Sequence, residues 1–438
     1  MSLLKQYQYQ NKTIAIYGMG KTGLSSAKIL KKLNTRILCW DDNKILREKS
    51  KKKYKISKFW LSKTPIDNIV ISPGIDINKC KIKNYLKKNL KKIITDLDIF
   101  FETNRNVQII SITGTNGKST TCKIIEKILK TAKRNVKTVG NIGNPILSLN
   151  HSKKKCIFII EVSSYQLQYS RLFRSKHAAI LNISPDHLER HINLKNYIKV
   201  KTQLFFAQNK LDYSYINLSN KYSKFIKKIF KKKKIKSKLI EIKKSKYNFL
   251  LKKIKNKYLK SKGNIENVFF AYEITKRFKI KDQIIIKALN NFIGLPHRQQ
   301  IVFSNKKLTC VNDSKATSFD ASLQSLLSYD KIYWIVGGLP KKDDQFNLKK
   351  IKKKIVKAYI IGKNVSFFKE KFAKKIPYTV SRNIKNAVNN IKVDLKLNKN
   401  LGSTILLSPA AASFDQFKNF EDRGNYFTKI ISNKLRKF

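Results

Sequence analysis

Short apolar segments alternate with helical segments along this chain, and this alternation constrains the fold more than any other feature. The pattern recurs in three series, at 13–74, 107–184 and 308–410. It predicts α/β structure with largely parallel sheets, because a parallel strand pair needs a crossover helix between its strands. The predicted strands are 13–18, 35–42, 68–74, 107–114, 156–164, 178–184, 308–313, 331–338, 357–362 and 403–410.

The number of series also predicts the number of domains. With 438 residues, the chain is longer than one hydrophobic core usually organises. We therefore predict three α/β domains: a Rossmann-like N-terminal domain (1–97), a central P-loop ATPase-type mononucleotide-binding domain (98–294) and a Rossmann-like C-terminal domain (295–438).

A shortened phosphate-binding loop follows the strand at 107–114. The stretch "ITGTNGKST" ends like a P-loop, but only two residues separate its glycines, where the usual loop has four. Its backbone N–H groups and the N-terminus of the next helix can face phosphate, Lys118 can reach the β- and γ-phosphates, and Ser119 or Thr120 can bind Mg²⁺. The residues predicted to bind ATP here are Gly114, Thr115, Asn116, Gly117, Lys118, Ser119 and Thr120. The alternative is a glycine-rich turn with an incidental lysine.

Two polar residues follow neighbouring predicted strands. Glu161 ends the strand in "CIFIIEVSS", where an NTPase needs an acidic group near Mg²⁺. His187 follows the next strand, in "LNISPDHLERH", although a lone histidine is more often structural. Lys201 lies in a predicted amphipathic helix at 196–209, and nothing in the residues themselves separates it from the many other lysines.

The first series carries a second glycine motif. "GMGKTG" at 18–23 follows a strand, and Asp41 and Asp42 end the next strand about twenty residues later. This pattern is typical of a dinucleotide site for NAD or FAD. A different pyrophosphate ligand is the alternative, since a second nucleotide site is predicted downstream.

The charge of the chain raises a nucleic-acid alternative. The formal net charge is +68, but the lysines spread over nearly every segment and do not form one patch. The densest run, Lys221 to Gly263, interleaves aromatic residues with lysines, as a binding groove would, yet such a run is more often a solvated, variable segment. We therefore expect non-specific adhesion to polyanions and no specific nucleic-acid partner.

Cysteine usage and hydropathy indicate the cellular compartment in which the protein works. The five cysteines are scattered, which excludes a disulfide framework or a C-x-x-C metal pair as the organising feature. No apolar run approaches the length of a membrane span, and the first residues lack the pattern of a secretory signal. These observations predict a cytoplasmic protein.

Several motifs together resemble the Mur ligase family, the ATP-dependent amino-acid ligases of peptidoglycan synthesis. The motifs are "GTNGKST", "EVSSYQL", "NISPDHLERH", "GLPHR", "NDSKAT" and "SPAAASFDQFKNFEDRG", and they occur in the family's order over nearly the whole chain. Short P-loops of this form also occur in the related folylpolyglutamate synthases, which do not account for a Rossmann-like domain before the loop. "SPGI", "GNIG", "NDSKAT" and "SFDQFKNFEDRG" resemble the members that add D-glutamate to UDP-N-acetylmuramoyl-L-alanine.

The resemblance implies a reaction and a set of residue roles. ATP would phosphorylate the terminal carboxylate of the UDP-linked substrate, and the D-glutamate amine would attack the acyl phosphate. Catalytic positions would be Lys118, Glu161, His187 and Lys201; Ser119 and Glu161 would hold one Mg²⁺, and His187 with Lys201 as a carbamate would hold a second. The UDP-substrate positions would be Thr22, Asp41, Asp42, Gly74 and Asn141; further ATP positions would be Asn264, Asn267, Arg298, Asp313 and Lys315; and the D-glutamate positions would be Thr317, Lys341, Ser413 and Phe420.

The sequence departs from the family pattern at three of these places. Gly263 stands where family members often have histidine, and Asn43 stands where some have arginine. In "GGLPKKDDQF", Lys341 and Lys342 compete for one role. We also expect a monomer. A basic, NTP-regulated nucleic-acid-binding protein is the non-enzymatic alternative.

Overall fold

A computed structural model describes residues 8–140, 145–148, 156–261, 263–341, 344–398 and 402–435. The described residues form two compact units, one within Met1–Lys253 and Asn267–Leu289, the other within Ile254–Glu266 and Asn290–Phe438. Three sheets run through them, and their strands are predominantly parallel. The predicted α/β class is therefore confirmed, while the proposed boundaries of three domains stay a prediction.

The element bounds are as follows. The strands are β1 Thr13–Tyr17, β2 Arg36–Trp40, β3 Asn68–Ile71, β4 Ile93–Ile94, β5 Gln108–Thr113, β6 Val136–Gly140, β7 Ile157–Glu161, β8 His177–Ile180, β9 Tyr213–Asn217, β10 Lys238–Ile242, β11 Gln300–Ser304, β12 Leu308–Asn312, β13 Ile332–Gly337, β14 Ile355–Ile361, β15 Tyr378–Arg382 and β16 Ser403–Leu407. The helices are α1 Lys21–Lys32, α2 Lys44–Lys51, α3 Lys83–Lys88, α4 Asp96–Thr103, α5 Lys118–Thr131, α6 Ser164–Leu167, α7 Leu188–His191, α8 Leu194–Thr202, α9 Ser223–Lys232, α10 Asn248–Lys253, α11 Lys257–Lys260, α12 Ile265–Lys276, α13 Asp282–Asn290, α14 Phe319–Ser328, α15 Val365–Phe372, α16 Ile384–Asn398 and α17 Phe420–Leu435.

The first unit contains two parallel sheets. The smaller has the strand order β2-β1-β3-β4, and the larger has the order β10-β9-β8-β5-β7-β6. In each, an interior strand, β1 or β5, leads through a glycine-containing loop into a helix. This arrangement places both loops at the carboxyl edge of their sheets, where open α/β sheets bind ligands.

A shared apolar core joins the two sheets of the first unit. Buried residues of β1, α1, α4, β5 and β7 belong to one cluster. Within it, the ring of Phe100 from α4 meets that of Phe158 from β7 edge to face, with centroids 5.1 Å apart. The two loops are therefore carried on one packed body.

The second unit contains one sheet with the order β11-β12-β16-β13-β14-β15. All its pairings are parallel except that of β11 with β12. Apolar residues cover both faces of this sheet in two clusters. Near-continuous apolar strands such as "IYWIVG" of β13 are typical of a parallel sheet buried on both sides.

The lysine-rich run from 221 to 263 was interpreted as a solvated, variable segment, and this interpretation is wrong for its described residues. It folds into α9, β10, α10 and α11. Ile226 and Ile229 of α9 are 3% and 9% exposed, and Leu250 of α10 is fully buried. Apolar residues at helical spacing bury one face, and most of the lysines stay on the other.

No helix among the described residues combines the length and apolar character needed to cross a bilayer.

Candidate active site

The P-loop, defined here as Gly114–Thr120, connects β5 to α5. Gly117 precedes the helix with φ = 82°, in the left-handed region that favours glycine. A Cβ atom on Gly117 would lie 2.3 Å from Oδ1 of Asn267. The loop thus needs glycine both for its backbone angle and for the close approach of Asn267, a predicted ATP residue.

Asn182, which the sequence did not single out, braces the P-loop from the end of β8. Its Oδ1 accepts from Asn116 N at 2.9 Å, and its Nδ2 donates to Asn116 O at 3.1 Å. The Thr115 hydroxyl accepts from Ser184 N at 3.0 Å. The only sequence signal for Asn182 is its place after a predicted strand, in "LNIS".

Two lysines donate to the same carbonyl oxygen of the P-loop. Lys118 Nζ and Lys201 Nζ each lie 2.9 Å from Gly114 O, and Lys118 also donates to Thr115 O at 2.8 Å. Lys201 is 2% exposed, and burial, followed by the charge of Lys118, holds the pKa of its amine well below the usual value. A buried amine of this kind is biased towards its neutral, nucleophilic form.

The predicted acid and the P-loop serine meet at the centre of the larger sheet. Ser119 Oγ donates to Glu161 Oε2 at 2.7 Å, and both residues are at least 97% buried, with exposures of 3% and 2%. Ile112 and Glu161 are register partners in the β5–β7 pair, which brings strand end and loop together. Thr120 is also buried, at 4% exposure.

His187 lies before α7 with φ = 54°. Its Nδ1 lies 2.9 Å from the Tyr165 hydroxyl, and its Nε2 lies 3.4 Å from Asp186 Oδ2. No group of three His, Cys, Asp or Glu side chains suited to a metal is found among the described residues. Ser119 and Glu161 present oxygen ligands of the kind that Mg²⁺ prefers, whereas Lys201 could join a metal site only as an anionic derivative.

A cleft of about 640 Å³ in the first unit brings the two glycine-containing loops together. Thr22 and Gly74, predicted to contact the UDP part of the substrate, line it. Lys118, His187 and Lys201 line it as well. Further lining residues that the sequence did not single out are Asp96, Ser163, Ser164, Gln166 and Tyr197.

The two acids predicted to contact the UDP part do not line this cleft. Asp41 accepts from Met19 N at 2.6 Å, so it holds the glycine loop, defined here as Gly18–Gly23. Asp42 accepts from the Tyr17 hydroxyl at 2.6 Å and lies 3.3 Å from Trp40 Nε1. Asn141, the fifth predicted UDP-substrate residue, lies outside the described residues.

In the second unit, Asp313 follows β12 and is buried. Its carboxylate accepts from the hydroxyls of Ser325 and Ser408 and from Gln299 N at 3.1 Å. Burial raises its pKa to about 6, against the effect of these hydrogen bonds. Arg298, also predicted for ATP, is half-buried and lowers the pKa of Asp313 through its charge.

The other predicted residues of the second unit fall into different environments. Lys315 Nζ lies 3.8 Å from the ring centroid of Phe420. Ser413 is 2% exposed, Thr317 is half-buried and Lys341 is exposed. Lys342 lies outside the described residues. Lys315 and Phe420 are therefore brought together, while no described contact joins Lys341 to Ser413.

Two predicted positions lie near α11. Asn264 Nδ2 donates to Tyr258 O at 3.2 Å. A Cβ atom on Gly263 would lie 3.2 Å from Gln299 Nε2, so a larger residue there would press on that side chain.

Arg423, a residue of the motif "FEDRG" that received no predicted role, joins two loops of the second unit. It is 1% exposed, and its Nη2 donates to Ser314 O at 2.8 Å and to Ala411 O at 3.0 Å. These loops carry Lys315 and Ser413. Burial lowers the pKa of Arg423 to about 10.

Comparison with known proteins agrees with these features. Residues 112–287 match the Mur ligase middle domain. The UDP-N-acetylmuramoylalanine--D-glutamate ligase of Rickettsia felis is 33% identical over 95% of this chain and 96% of its own length, and that of Rickettsia bellii is 33% identical over 97% and 98%. The crystal structure of the MurF ligase from Thermotoga maritima in complex with ADP shares the fold, with a TM-score of 0.57, 14% identity and coverage of 98% of this chain and 96% of that chain. The chain therefore belongs to the Mur ligase family, among the UDP-N-acetylmuramoylalanine--D-glutamate ligases.

Proposed function

We propose that this chain is an ATP-dependent ligase that adds D-glutamate to UDP-N-acetylmuramoyl-L-alanine through an acyl phosphate, as a cytoplasmic step in making the peptidoglycan precursor. The observation that carries the proposal is the cleft of about 640 Å³, which Thr22 and Gly74 line together with Lys118. A substrate with its UDP end at the glycine loop would extend towards the P-loop lysine. The names of the relatives supply the identity of the substrates.

The P-loop would bind the phosphates of ATP. Gly114–Gly117 offer backbone N–H groups, and α5 offers its N-terminus. Lys118 Nζ, which donates to Gly114 O and Thr115 O, would turn to the transferred phosphate and offset the charge that develops on it. The reaction brings anions together, so a cation at this point should contribute mainly to kcat.

Ser119 and Glu161 would hold Mg²⁺, because their oxygens already lie 2.7 Å apart and are shielded from solvent. The ion, when bound, neutralises phosphate charge and orients the transferred group. His187 and a carbamate on Lys201 would provide a second site.

The environment of Lys201 supports the carbamate that the family resemblance implies. Its neutral amine nitrogen would attack CO₂, forming a C–N bond while one C=O electron pair moves to oxygen and a proton leaves the nitrogen. Burial favours the neutral amine that this step requires. The product is an anionic oxygen ligand at the end of a long side chain.

Each predicted domain has one main ligand: residues 1–97 would bind the UDP substrate, 98–294 ATP and 295–438 D-glutamate, and the chain would act as a monomer. Asn264 and Asn267 keep their proposed ATP roles, and so do Arg298, Asp313 and Lys315, which the C-terminal domain would contribute to the ATP site. Thr317, Lys341, Ser413 and Phe420 keep their proposed D-glutamate roles.

One assay tests the reaction: release of phosphate from ATP in the presence of UDP-N-acetylmuramoyl-L-alanine, D-glutamate, both or neither. We expect release only with both, together with a UDP-linked product that contains D-glutamate. Equal use of L-glutamate, L-lysine or diaminopimelate would reject D-glutamate as the substrate and leave only a ligase of the same family.

The D-glutamate pocket has its own test. Lys341→Ala should raise KM for D-glutamate about ten- to a hundredfold, because a charge-assisted hydrogen bond is lost, and should leave KM for the UDP substrate unchanged. Lys350→Ala, another exposed lysine on the same loop, is the matched control. If Lys342→Ala shows the effect and Lys341→Ala does not, the role belongs to the neighbouring residue.

A further inference from the structure

Asp96 is a buried carboxylate in the cleft to which neither the sequence motifs nor the proposed reaction gives a role. It is the first residue of α4 and is 2% exposed. It lines the same cleft as Thr22, Lys118 and Lys201. A carboxylate in a cleft that must receive an anionic substrate is unfavourable unless another interaction holds it.

The contacts of Asp96 fix the orientation of one amide. Gln166 Nε2 donates to Asp96 Oδ2 at 3.1 Å. At the other side of the amide, Gln166 Oε1 accepts from Ser163 N at 3.2 Å and from Ser163 Oγ at 3.1 Å. A flipped amide would place its oxygen against the carboxylate and its NH₂ group against a backbone N–H. Only one orientation satisfies both neighbours.

The neighbouring Asp98 shows what an acid with a purely structural role does in this helix. Its carboxylate accepts from Thr95 N at 2.9 Å, from Ser170 Oγ at 2.9 Å and from Leu172 N at 2.8 Å. It is fully buried and does not line the cleft. Asp96 differs because its partner, Gln166, also lines the cleft.

We propose that Asp96 is a positioning residue for the UDP-linked substrate: it fixes the Gln166 amide so that the second Nε2 hydrogen is presented to an oxygen of that substrate. The inference rests on the proposed function. Only one of the two Nε2 hydrogens is used in the described contact with Asp96. Gln166 would be the residue that touches the substrate, and Asp96 would act through it.

The ionisation of Asp96 supports this role. Burial raises its pKa to about 6, and the hydrogen bond from Gln166 acts in the opposite direction. At pH 8 the carboxylate is therefore ionised and accepts a charge-assisted hydrogen bond, which is stronger than a neutral one.

Binding of UDP-N-acetylmuramoyl-L-alanine to the full chain tests the inference, measured by calorimetry and accompanied by KM values for all three substrates. Asp96→Ala and Gln166→Ala should each raise Kd about tenfold, and the double variant should show the same tenfold rise and not a hundredfold one. Asp96→Asn keeps an acceptor oxygen and should stay within about threefold of wild type. Gln168→Ala, a glutamine of the same turn that does not line the cleft, is the control.

The outcomes separate the two proposals. A wild-type chain that binds no UDP-linked substrate overturns both. A wild type that binds, with Asp96→Ala binding equally well, overturns only the inference. Two further results also overturn it. One is a Kd for the double variant that shows the effects of Asp96→Ala and Gln166→Ala added together, and the other is a rise in KM for ATP and D-glutamate as large as that for the UDP-linked substrate. If Asp96→Ala loses its circular dichroism spectrum, the single variants Asp96→Asn and Gln166→Ala decide. Gln166→Ala should still raise Kd about tenfold and Asp96→Asn should stay within about threefold, and failure of either expectation contradicts the inference.

Discussion

The glycine loop and the P-loop begin alike and differ in what their polar groups do. Each follows an interior strand of a parallel sheet, each has glycine immediately before its helix, at Gly20 and Gly117, and each helix starts with lysine, at Lys21 and Lys118. A sequence pattern alone would treat them as two nucleotide sites. In the structure, however, different side chains surround the two loops.

The glycine loop is held by close backbone packing and by the side chain of Asp41, which follows β2. A Cβ atom on Gly23 would lie 1.8 Å from Gly18 O, and Asp41 accepts from Met19 N at 2.6 Å. In the P-loop, by contrast, Ser119 contacts Glu161, and Lys118 and Lys201 converge on one carbonyl oxygen. The comparison teaches that the first loop is suited to hold a ligand by shape, whereas the second carries the groups to which we assign phosphate transfer.

The largest difference should appear when the two helix-starting lysines are exchanged for alanine. We expect Lys118→Ala to lower kcat about 10³-fold, because in the proposed reaction its cation would face the transferred phosphate. We expect Lys21→Ala to raise KM for the UDP substrate by less than about tenfold with kcat near wild type. Steady-state kinetics of folded variants measure both, and equal losses of kcat would abolish the distinction between the loops.

Lys201→Arg tests whether the P-loop site needs a carbamate or only a positive charge. Arginine keeps the positive charge but cannot form a carbamate, so kcat should fall about 10²-fold. Lys199→Arg, an exposed lysine of the same helix, should stay near wild type.

A second measurement does not depend on activity. Wild-type protein equilibrated with ¹³C-bicarbonate should show a carbamate signal in its NMR spectrum, and Lys201→Arg should lack it. Full activity of Lys201→Arg, or an identical spectrum for both proteins, counts against the carbamate.

Asp41→Asn tests whether the glycine loop acts by shape. Loss of the charged acceptor for Met19 N should raise KM for the UDP substrate about tenfold while kcat is unchanged, since a hydrogen bond to a charged group typically contributes roughly 1.5 to 3 kcal/mol. A fall in kcat with constant KM would instead give this acid a part in the chemistry.

The smallest effect compares the two glycines that precede the helices. Gly117→Ala should lower the free energy of unfolding by roughly 1 to 2 kcal/mol, because its φ of 82° disfavours a side chain and a Cβ atom there would lie 2.3 Å from Asn267 Oδ1. Gly20 has φ = −72° and no atom within 4 Å of a built Cβ. Gly20→Ala should therefore change stability by less than about 0.5 kcal/mol, as chemical denaturation would measure. Equal losses would mean that the backbone angle of Gly117 is not limiting.

Periodicity was enough to predict ten apolar strands, and each of them overlaps an observed strand. Most of the observed strands are shorter than predicted, whereas β14 is longer and β8 begins one residue earlier. It missed the other six described strands, β4, β6, β9, β10, β11 and β15. Of these, β9 and β10 have the sequences "YSYIN" and "KLIEI", which mix polar and apolar residues. β9 pairs with β8 and β10 pairs with β9, and a local sequence pattern does not contain such pairing.

The candidate site also contains residues that a local pattern predicts and residues that it does not. The P-loop is local in sequence, so its spacing predicts strand, loop and helix correctly. The burial of Lys201 arises from packing against β5 and Tyr197 and has no local signal; only the family resemblance pointed to it. Asp41 matched a motif for ligand contact, but its carboxylate accepts from Met19 N of the glycine loop, because hydrogen-bond partners depend on the folded backbone.

The common core beneath the two loops has a consequence for substrate choice. Because β1, α4 and β7 share one buried cluster, in which Phe100 of α4 packs on Phe158 of β7, the span from the glycine loop to Lys118 is set by the fold. A cleft whose two ends lie on one packed unit fixes the distance that a substrate has to span. A UDP-sugar that lacks the alanine would place its carboxylate short of the P-loop, and one with a longer peptide would overshoot it. The enzyme would thus recognise its stage in a growing chain by reach, without contacting every atom of the substrate.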